Sequence, residues 1–387
     1  MEKAVRNLWV EARELMRQGD LGGVERLDSP PSPLRFLREY VSANRPFIVS
    51  GAATRHWPAI SHSLWSNDDY LCNALRNCTV SVHLTPNGRA DALAPLPLPS
   101  GGEGESITKD GTQKRGGLCF ASACVRSMEF PEALQLIKAT GRALGPSTAS
   151  VVAYAQQQDN CLRGEYAAVA GDVEAHIPWA SEALGCLPEA VNLWIGNDRS
   201  QTSFHKDHYE NLYVVITGEK HFLLLPPTEV HRLYICPYLA ARYTLSSALL
   251  DTGTGGLRFD LEVEEPERQV PWCSVDPYPP SPEDLAVQMS SFPLYFDGPR
   301  PFECTVKAGE ILYLPSMWFH HVRQTPDSNG QTIAVNYWYD MQFDIKYAYL
   351  NFLQSIEHPL SAGDSSRKKA EQDIKSNYDE FYNSVDV

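Results

Sequence analysis

TSFHKDHYENLYVVITGEKHFLLLPP (residues 202–227) sets two runs of aromatic, β-branched and leucine residues on either side of Thr217-Gly218-Glu219. Runs of this kind read as strands, and the glycine-centred link reads as a tight reversal. Lys220 then begins an antiparallel strand that folds back beside the first. Side chains two apart on a strand share a face, so His205 and Asp207 point the same way, towards a barrel interior. A carboxylate buried there is costly unless a cation compensates it, and a metal ion would satisfy both groups at once. His208, one residue on, faces outward in a regular strand and reads as a surface or supporting residue. Lys220 is set to enter the same cavity, where a buried ammonium needs a partner such as the distal carboxylate of a dicarboxylic acid. A lysine reaching out to the barrel rim is the plainer alternative.

His-x-Asp alone is a weak motif. Its weight comes from His320-His321, which follow the apolar run ILYLPSMWF and offer a third ligand. The register is not readable from the sequence, so alternation leaves both histidines open. Two histidines and one carboxylate leave positions free on a ferrous ion for a bidentate acid and dioxygen. A structural zinc site is normally closed by four protein ligands, whereas a catalytic zinc is compatible with the same ligand types.

Outward from this core, VVAYAQQQ, AVNLWIG, ECTVKAGEILYLP, HHVRQT and TIAVNYWYD are further short runs bounded by turn residues, which indicates a mainly β sandwich or barrel. RPFIVSGAA reads as a strand opening the folded body, and TVSVHLTPNG as a strand and hairpin. Val5, Leu8, Trp9, Ala12, Leu15 and Met16 follow helical spacing. Residues 95–117 read as an exposed, mobile loop rich in Pro and Gly. The expected organisation is a helical segment over 1–34, an α/β part over 35–150 packed on the barrel, a β core over 151–343 with an insertion at 251–300, and a helix plus polar tail over 344–387.

The chain has 387 residues, 43% hydrophobic and 21% charged, an ordinary globular balance. It shows no apolar run long enough for a membrane span and no secretory leader pattern, so no membrane association is expected. The net charge of −15 argues against nucleic-acid backbone binding and suits solubility or a basic partner. Nine scattered cysteines without a CxxC read as reduced thiols, with cytoplasmic or nuclear localisation expected.

The stretches 202–227, KAGEILYLPSMWFHHV (307–322) and IAVNYWYD (333–340) resemble the Jumonji-C (JmjC) oxygenases, within the cupin-like double-stranded β-helix class. HIPWASEALGCLPEAVNLWIG (176–196), RPFIVSGAATRHWPA (45–59) and VHLTPNGRADAL (82–93) narrow the resemblance to a small JmjC-only subgroup, described as bifunctional peptidase and (3S)-lysyl hydroxylase. The resemblance covers about residues 35–356 and implies a jelly-roll core with flanking helices. It carries His205, Asp207 and His321 over as iron ligands and Lys220 as the partner of the distal carboxylate of 2-oxoglutarate. Thr202 and Tyr154 are carried over as hydroxyls on that carboxylate, and Asn211 and Asn336 as amides near its metal-bound end.

The implied chemistry uses Fe(II), 2-oxoglutarate and dioxygen, releases succinate and carbon dioxide, and needs no side chain as general acid or base. The implied partner is a protein or peptide carrying a lysine, in a developmentally regulated GTP-binding protein, hydroxylated at C-3. Glu182, Glu210 and Asp159 are candidates for steering its ammonium. Competing readings are N-methyl-lysine demethylation, a metal-dependent peptidase, and a non-enzymatic cupin-like binding module. Tyr347, Tyr349, Leu350, Phe352, Leu353 and Ile356 form an apolar helix after the barrel, suited to a homodimer or to capping the core.

Overall fold

The computed structural model describes residues 2–16, 23–96, 117–141, 151–246 and 258–356. Most of the loop expected at 95–117, and the polar tail, lie outside the described residues.

Two sheets form the barrel. Its strands in chain order are β1 (Glu25–Leu27), β2 (Phe47–Val49), β3 (Arg89–Ala90), β4 (Ala190–Gly196), β5 (Gln201–His205), β6 (Tyr209–Thr217), β7 (Glu219–Leu225), β8 (Phe302–Lys307), β9 (Ile311–Leu314), β10 (Phe319–Thr325) and β11 (Thr332–Asp340). A six-stranded sheet runs β1-β2-β9-β6-β11-β4, and a five-stranded sheet runs β8-β7-β10-β5-β3. Both contribute to one interior cluster that includes Trp194, Tyr213, Val215, Phe222, Leu224, Leu314, Val322 and Ala334. This is the double-stranded β-helix, a jelly roll with flanking helices.

Why the strands read as near-continuous apolar runs is visible in the packing. The outer face of the larger sheet, with Leu212, Val214, Ile216, Val335 and Tyr337, is buried against Phe36, Trp57, Leu71 and Phe130 of the N-terminal part. A sheet covered on both faces needs no polar side. The outer face of the smaller sheet, with Phe204, Leu223, Leu225 and Phe319, packs on Val230 and Tyr295.

Several sequence expectations change here. Residues 202–217 are not one strand: β5 ends at His205, and β6 begins at Tyr209. Nor do β6 and β7 pair as a hairpin. β6 pairs with β9 and β11 while β7 pairs with β8 and β10, so Thr217-Gly218-Glu219 carries the chain from one sheet to the other. Gly218 has φ +71°, and a Cβ there would lie 2.6 Å from the Thr325 carbonyl oxygen, which is why no side chain fits at the crossing. The Pro-Asn-Gly turn after the strand Thr79–Thr85 also closes no hairpin. That strand pairs with Cys124–Glu129 and Val152–Tyr154, whereas β3, after the turn, runs parallel to β5. β1 and β2 belong to the barrel sheet itself. In the 251–300 region, strands Phe259–Val263 and Gln269–Trp272 pair with Cys236–Leu245, which in turn pairs with Leu118–Ser122. The insertion therefore builds a sheet beside the barrel mouth.

The amphipathic helix α1 (Glu2–Met16) forms as its spacing predicts and buries Val5, Trp9 and Ala12. The C-terminal helix α2 (Ile345–Ser355) is capped by Asp344, which accepts from the Lys346 and Tyr347 amides. All nine cysteines are free thiols. No helix among the described residues is long and apolar enough to cross a membrane.

Candidate metal centre and cosubstrate pocket

His205 closes β5 and is paired in register with His320 of β10. Paired residues of neighbouring strands project to the same face, so the two rings meet with centroids 4.1 Å apart. Asp207 sits just past the end of β5, in the link to β6, where its carbonyl accepts from the Met317 amide at 2.9 Å. Its Oδ1 lies 3.9 Å from His205 Nε2 and its Oδ2 3.7 Å from His320 Nε2. Donors sharing one ion with bonds of about 2.1 Å stand about 3–4 Å apart, so His205, Asp207 and His320 can hold a metal.

The imidazoles are oriented for it in the same way. His205 Nδ1 lies 2.9 Å from the Ser203 carbonyl and His320 Nδ1 3.1 Å from the Trp318 carbonyl. A carbonyl can only accept, so in each ring Nδ1 carries the proton and Nε2 presents its lone pair. Burial, with smaller help from His205, holds His320 down at about 4, keeping it neutral at physiological pH.

His321 is not in this cluster. One residue on, it projects to the opposite face of β10, against Phe204 at 5.6 Å and Tyr278 at 5.4 Å between ring centroids. Its Nδ1 is buried without a hydrogen-bond partner among the described residues. Assignment of the third ligand to His321 is therefore corrected to His320. His208 is also apart, stacked on Phe343.

Lys220 faces the same interior. It is 1% exposed, its Nζ donates to the Tyr154 hydroxyl at 3.0 Å, and no carboxylate among the described residues pairs with it. Burial pushes its ammonium down to about 7, a desolvation penalty of about 5 kcal/mol. Gly196 keeps the space beside it open, since a Cβ there would lie 2.8 Å from the Tyr154 ring and 2.2 Å from Gln324 Nε2. A β-bulge between Thr202 and His205 returns both to the interior face despite their spacing of three, and Thr202 pairs with Val322 of the interior cluster. Asn211 is buried with its Oδ1 unpartnered among the described residues, whereas Asn336 Oδ1 already accepts from Trp194 Nε1 at 2.8 Å. Glu210 does not steer a substrate. It is buried and accepts from Tyr313 Oη at 2.6 Å and Ser316 Oγ at 2.8 Å, pinning the link that leads into β10. Glu182 and Asp159 are exposed.

Residues 33–345 match the model of the cupin-like domain family. The lysine-specific demethylase JMJ32 of Arabidopsis thaliana is 57% identical over 94% of this chain and 94% of its own length. The human bifunctional peptidase and (3S)-lysyl hydroxylase JMJD7 is 40% identical over 85% of this chain and 88% of its own. JmjC domain-containing protein E of Dictyostelium discoideum is 33% identical over 86% and 88%. The chain belongs to the cupin-like JmjC family. As a JmjC protein it is an oxygenase that uses Fe(II), 2-oxoglutarate and dioxygen. Its residues fit those groups: a three-donor cluster suits the ion, and the buried Lys220 ammonium, with no acidic partner among the described residues, suits a buried keto diacid. The names of the Arabidopsis and human relatives both specify lysine.

Sequence reasoning missed His320 as ligand, together with Trp194 and Gln324 in the pocket wall. The signal for His320 was present. Arg323 and Thr325 share the parity of His321 and turn away from the interior, so His320, Val322 and Gln324 must face it.

Proposed function

We propose that this JmjC protein is a protein lysyl hydroxylase that places a hydroxyl at C-3 of a lysine, in a GTP-binding protein of the developmentally regulated class. The carrying observation is the pairing of a three-donor metal cluster with a buried lysine that has no acidic partner among the described residues. The bifunctional peptidase and lysyl hydroxylase named above supports the choice of reaction, since it aligns over nearly the whole described body.

In this reading His205, Asp207 and His320 hold the iron on one side and leave the other open. Lys220 and Tyr154 donate to the distal carboxylate of 2-oxoglutarate, with Thr202 beside them on the same face. Asn211 and Asn336 lie near its keto acid end. Bound iron and 2-oxoglutarate supply the oxidising power, turning dioxygen and the keto acid into succinate, carbon dioxide and an oxygenated substrate. The chain's own task is to orient and to exclude water: Trp194, Tyr213 and Phe222 pack in one apolar cluster with Tyr154, the residue that holds the Lys220 ammonium.

A second reading, N-methyl-lysine demethylation, is favoured by the name of the 57%-identical relative. Purified protein incubated with iron, 2-oxoglutarate and paired unmodified and methylated lysine peptides separates them. A stable gain of one oxygen on the unmodified peptide is expected. Formaldehyde from the methylated peptide, with no oxygenated product, would instead establish demethylation. Cleavage that persists without 2-oxoglutarate would point to peptidase action.

The homodimer is proposed through α2, whose Ile345, Tyr349 and Phe352 are 64%, 67% and 67% exposed at spacings of four and three. Leu353, at the edge of that face, is buried and packs into the core cluster with Leu225 and Tyr295.

A further inference from the structure

We propose that Asp91 receives the cationic end of the substrate side chain, with Trp272 flanking its aliphatic part. The proposal rests on the lysine reading above and gives it a binding site.

Asp91 follows β3, whose Arg89 and Ala90 pair in parallel with Gln201 and Thr202 of β5. That register brings Asp91 level with Ser203, between the proposed cosubstrate hydroxyl of Thr202 and the ligand His205. Its backbone is held in the left-handed region at φ +51°, which Asp tolerates better than most residues. The holding contacts are specific. Ser203 Oγ donates to the Asp91 carbonyl at 2.5 Å, and Trp272 Nε1 donates to Ser203 Oγ at 3.1 Å.

The Asp91 carboxylate itself is half-buried and makes no hydrogen bond or ion pair among the described residues. Comparable acids in this protein are satisfied: Glu165 by Ser81, Asp172 by Trp65 and Tyr70, Asp276 by Arg89. The titratable neighbours of Asp91 are His83 and His205. His83 is held by Gln156 and Gln157, each at 3.3 Å, and burial keeps its pKa low, so it supplies no standing cation. Nor does Asp91 join the ligand cluster, whose donor atoms all lie within 4.8 Å of one another. A sheltered, unpaired carboxylate beside a metal site, but not on the metal, is stabilised by a positive charge that arrives with the substrate.

The wall next to it suits the rest of a lysine. The Trp272 ring is nearly parallel to the His205 ring, at 8° and 6.4 Å, and Phe120 braces it edge-on at 4.7 Å. Methylene groups can lie along that face while the ammonium reaches the acid. The arrangement also bears on the reaction. In C-3 oxidation the ammonium sits several bonds beyond the reacting carbon and needs a partner set off from the metal. In demethylation the nitrogen is attached directly to the reacting carbon.

The test is calorimetric titration of protein loaded with Fe(II) and 2-oxoglutarate under anaerobic conditions, where no turnover occurs. The probes are Nα-acetyl-lysine methylamide and its norleucine analogue, which has a similar chain without the ammonium. Wild-type protein is expected to prefer the lysine probe by roughly tenfold or more. Asp91→Asn should lose that preference with norleucine binding unchanged, and Asp91→Glu should restore part of it. A wild-type protein without preference, or one that binds neither probe, overturns the lysine reading itself. A preference that survives in Asp91→Asn overturns the role of Asp91 while leaving lysine as substrate. Loss of both probes in Asp91→Asn and Asp91→Glu alike would show that Asp91 only supports the fold, and would end the proposal.

Discussion

One residue step in β10 separates a metal donor from a packing residue. His320 shares its face with His205 and has its Nδ1 on a carbonyl, while His321 lies among aromatic rings. His320→Ala should therefore weaken binding of Fe(II), or of Co(II) as an air-stable probe, by more than about 100-fold, beyond the loss typical of supporting residues. His321→Ala should hold affinity within a few-fold and lower stability by about 1–3 kcal/mol. Metal titration and thermal melts of the pair decide it, and the reverse ranking would restore His321 as ligand. Lys220 makes a second prediction at this scale. With its ammonium pushed down to about 7, it is largely neutral above that pH in the absence of an acid, and pairing with a carboxylate requires the charged form. Affinity for 2-oxoglutarate should then fall towards tenfold per pH unit as pH rises above about 7, with proton uptake on binding. Calorimetry in buffers of different ionisation enthalpy reads both, and a flat profile between pH 6.5 and 9 would contradict it.

At the scale of elements, two irregularities position the site. The bulge between Thr202 and His205 lets residues three apart face one cavity, and the Gly218 crossing sends β7 into the opposite sheet from β6. Without that crossing Lys220 would lie beside the strand that follows the ligands rather than next to β10, where it pairs with Gln324. Gly218→Ala meets both a left-handed backbone and a 2.6 Å approach to the Thr325 carbonyl. It should destabilise the protein by about 2 kcal/mol or more and weaken cosubstrate binding in step. An unchanged melting temperature would show that the crossing relaxes freely.

The molecule as a whole ties its N-terminal helix to the barrel's flank through buried charge. Glu229 is fully buried and accepts from Arg232, also fully buried, and from Arg13 of α1, whose Nη2 donates at 2.9 Å. Trp9 of the same helix donates to the Thr228 carbonyl at 3.1 Å. Glu229→Gln removes a buried counter-charge from two guanidinium groups and should cost about 3–5 kcal/mol, read as a lower urea midpoint at unchanged slope. The same helix borders a cavity of about 920 Å³ shared with α2 and lined by Leu8, Leu15, Met341 and Tyr347, with none of the three ligand residues in its lining.

Local chemistry in one chain segment announced much of the centre. His205, Asp207 and Lys220 lie within sixteen residues, and period-two alternation with the rarity of buried charge is enough to mark them. The apolar runs likewise announced a β barrel, because strands buried on both faces tolerate nothing else. Choosing between His320 and His321 required the pairing of β5 with β10, and Thr202 reaches the interior through a bulge that no spacing rule anticipates. The Asp91 and Trp272 subsite is assembled from segments far apart in the chain, one of them inside an apparent insertion. Sheet register and crossover are set by long-range packing, so the face on which a side chain finally lies is a property of the assembled barrel.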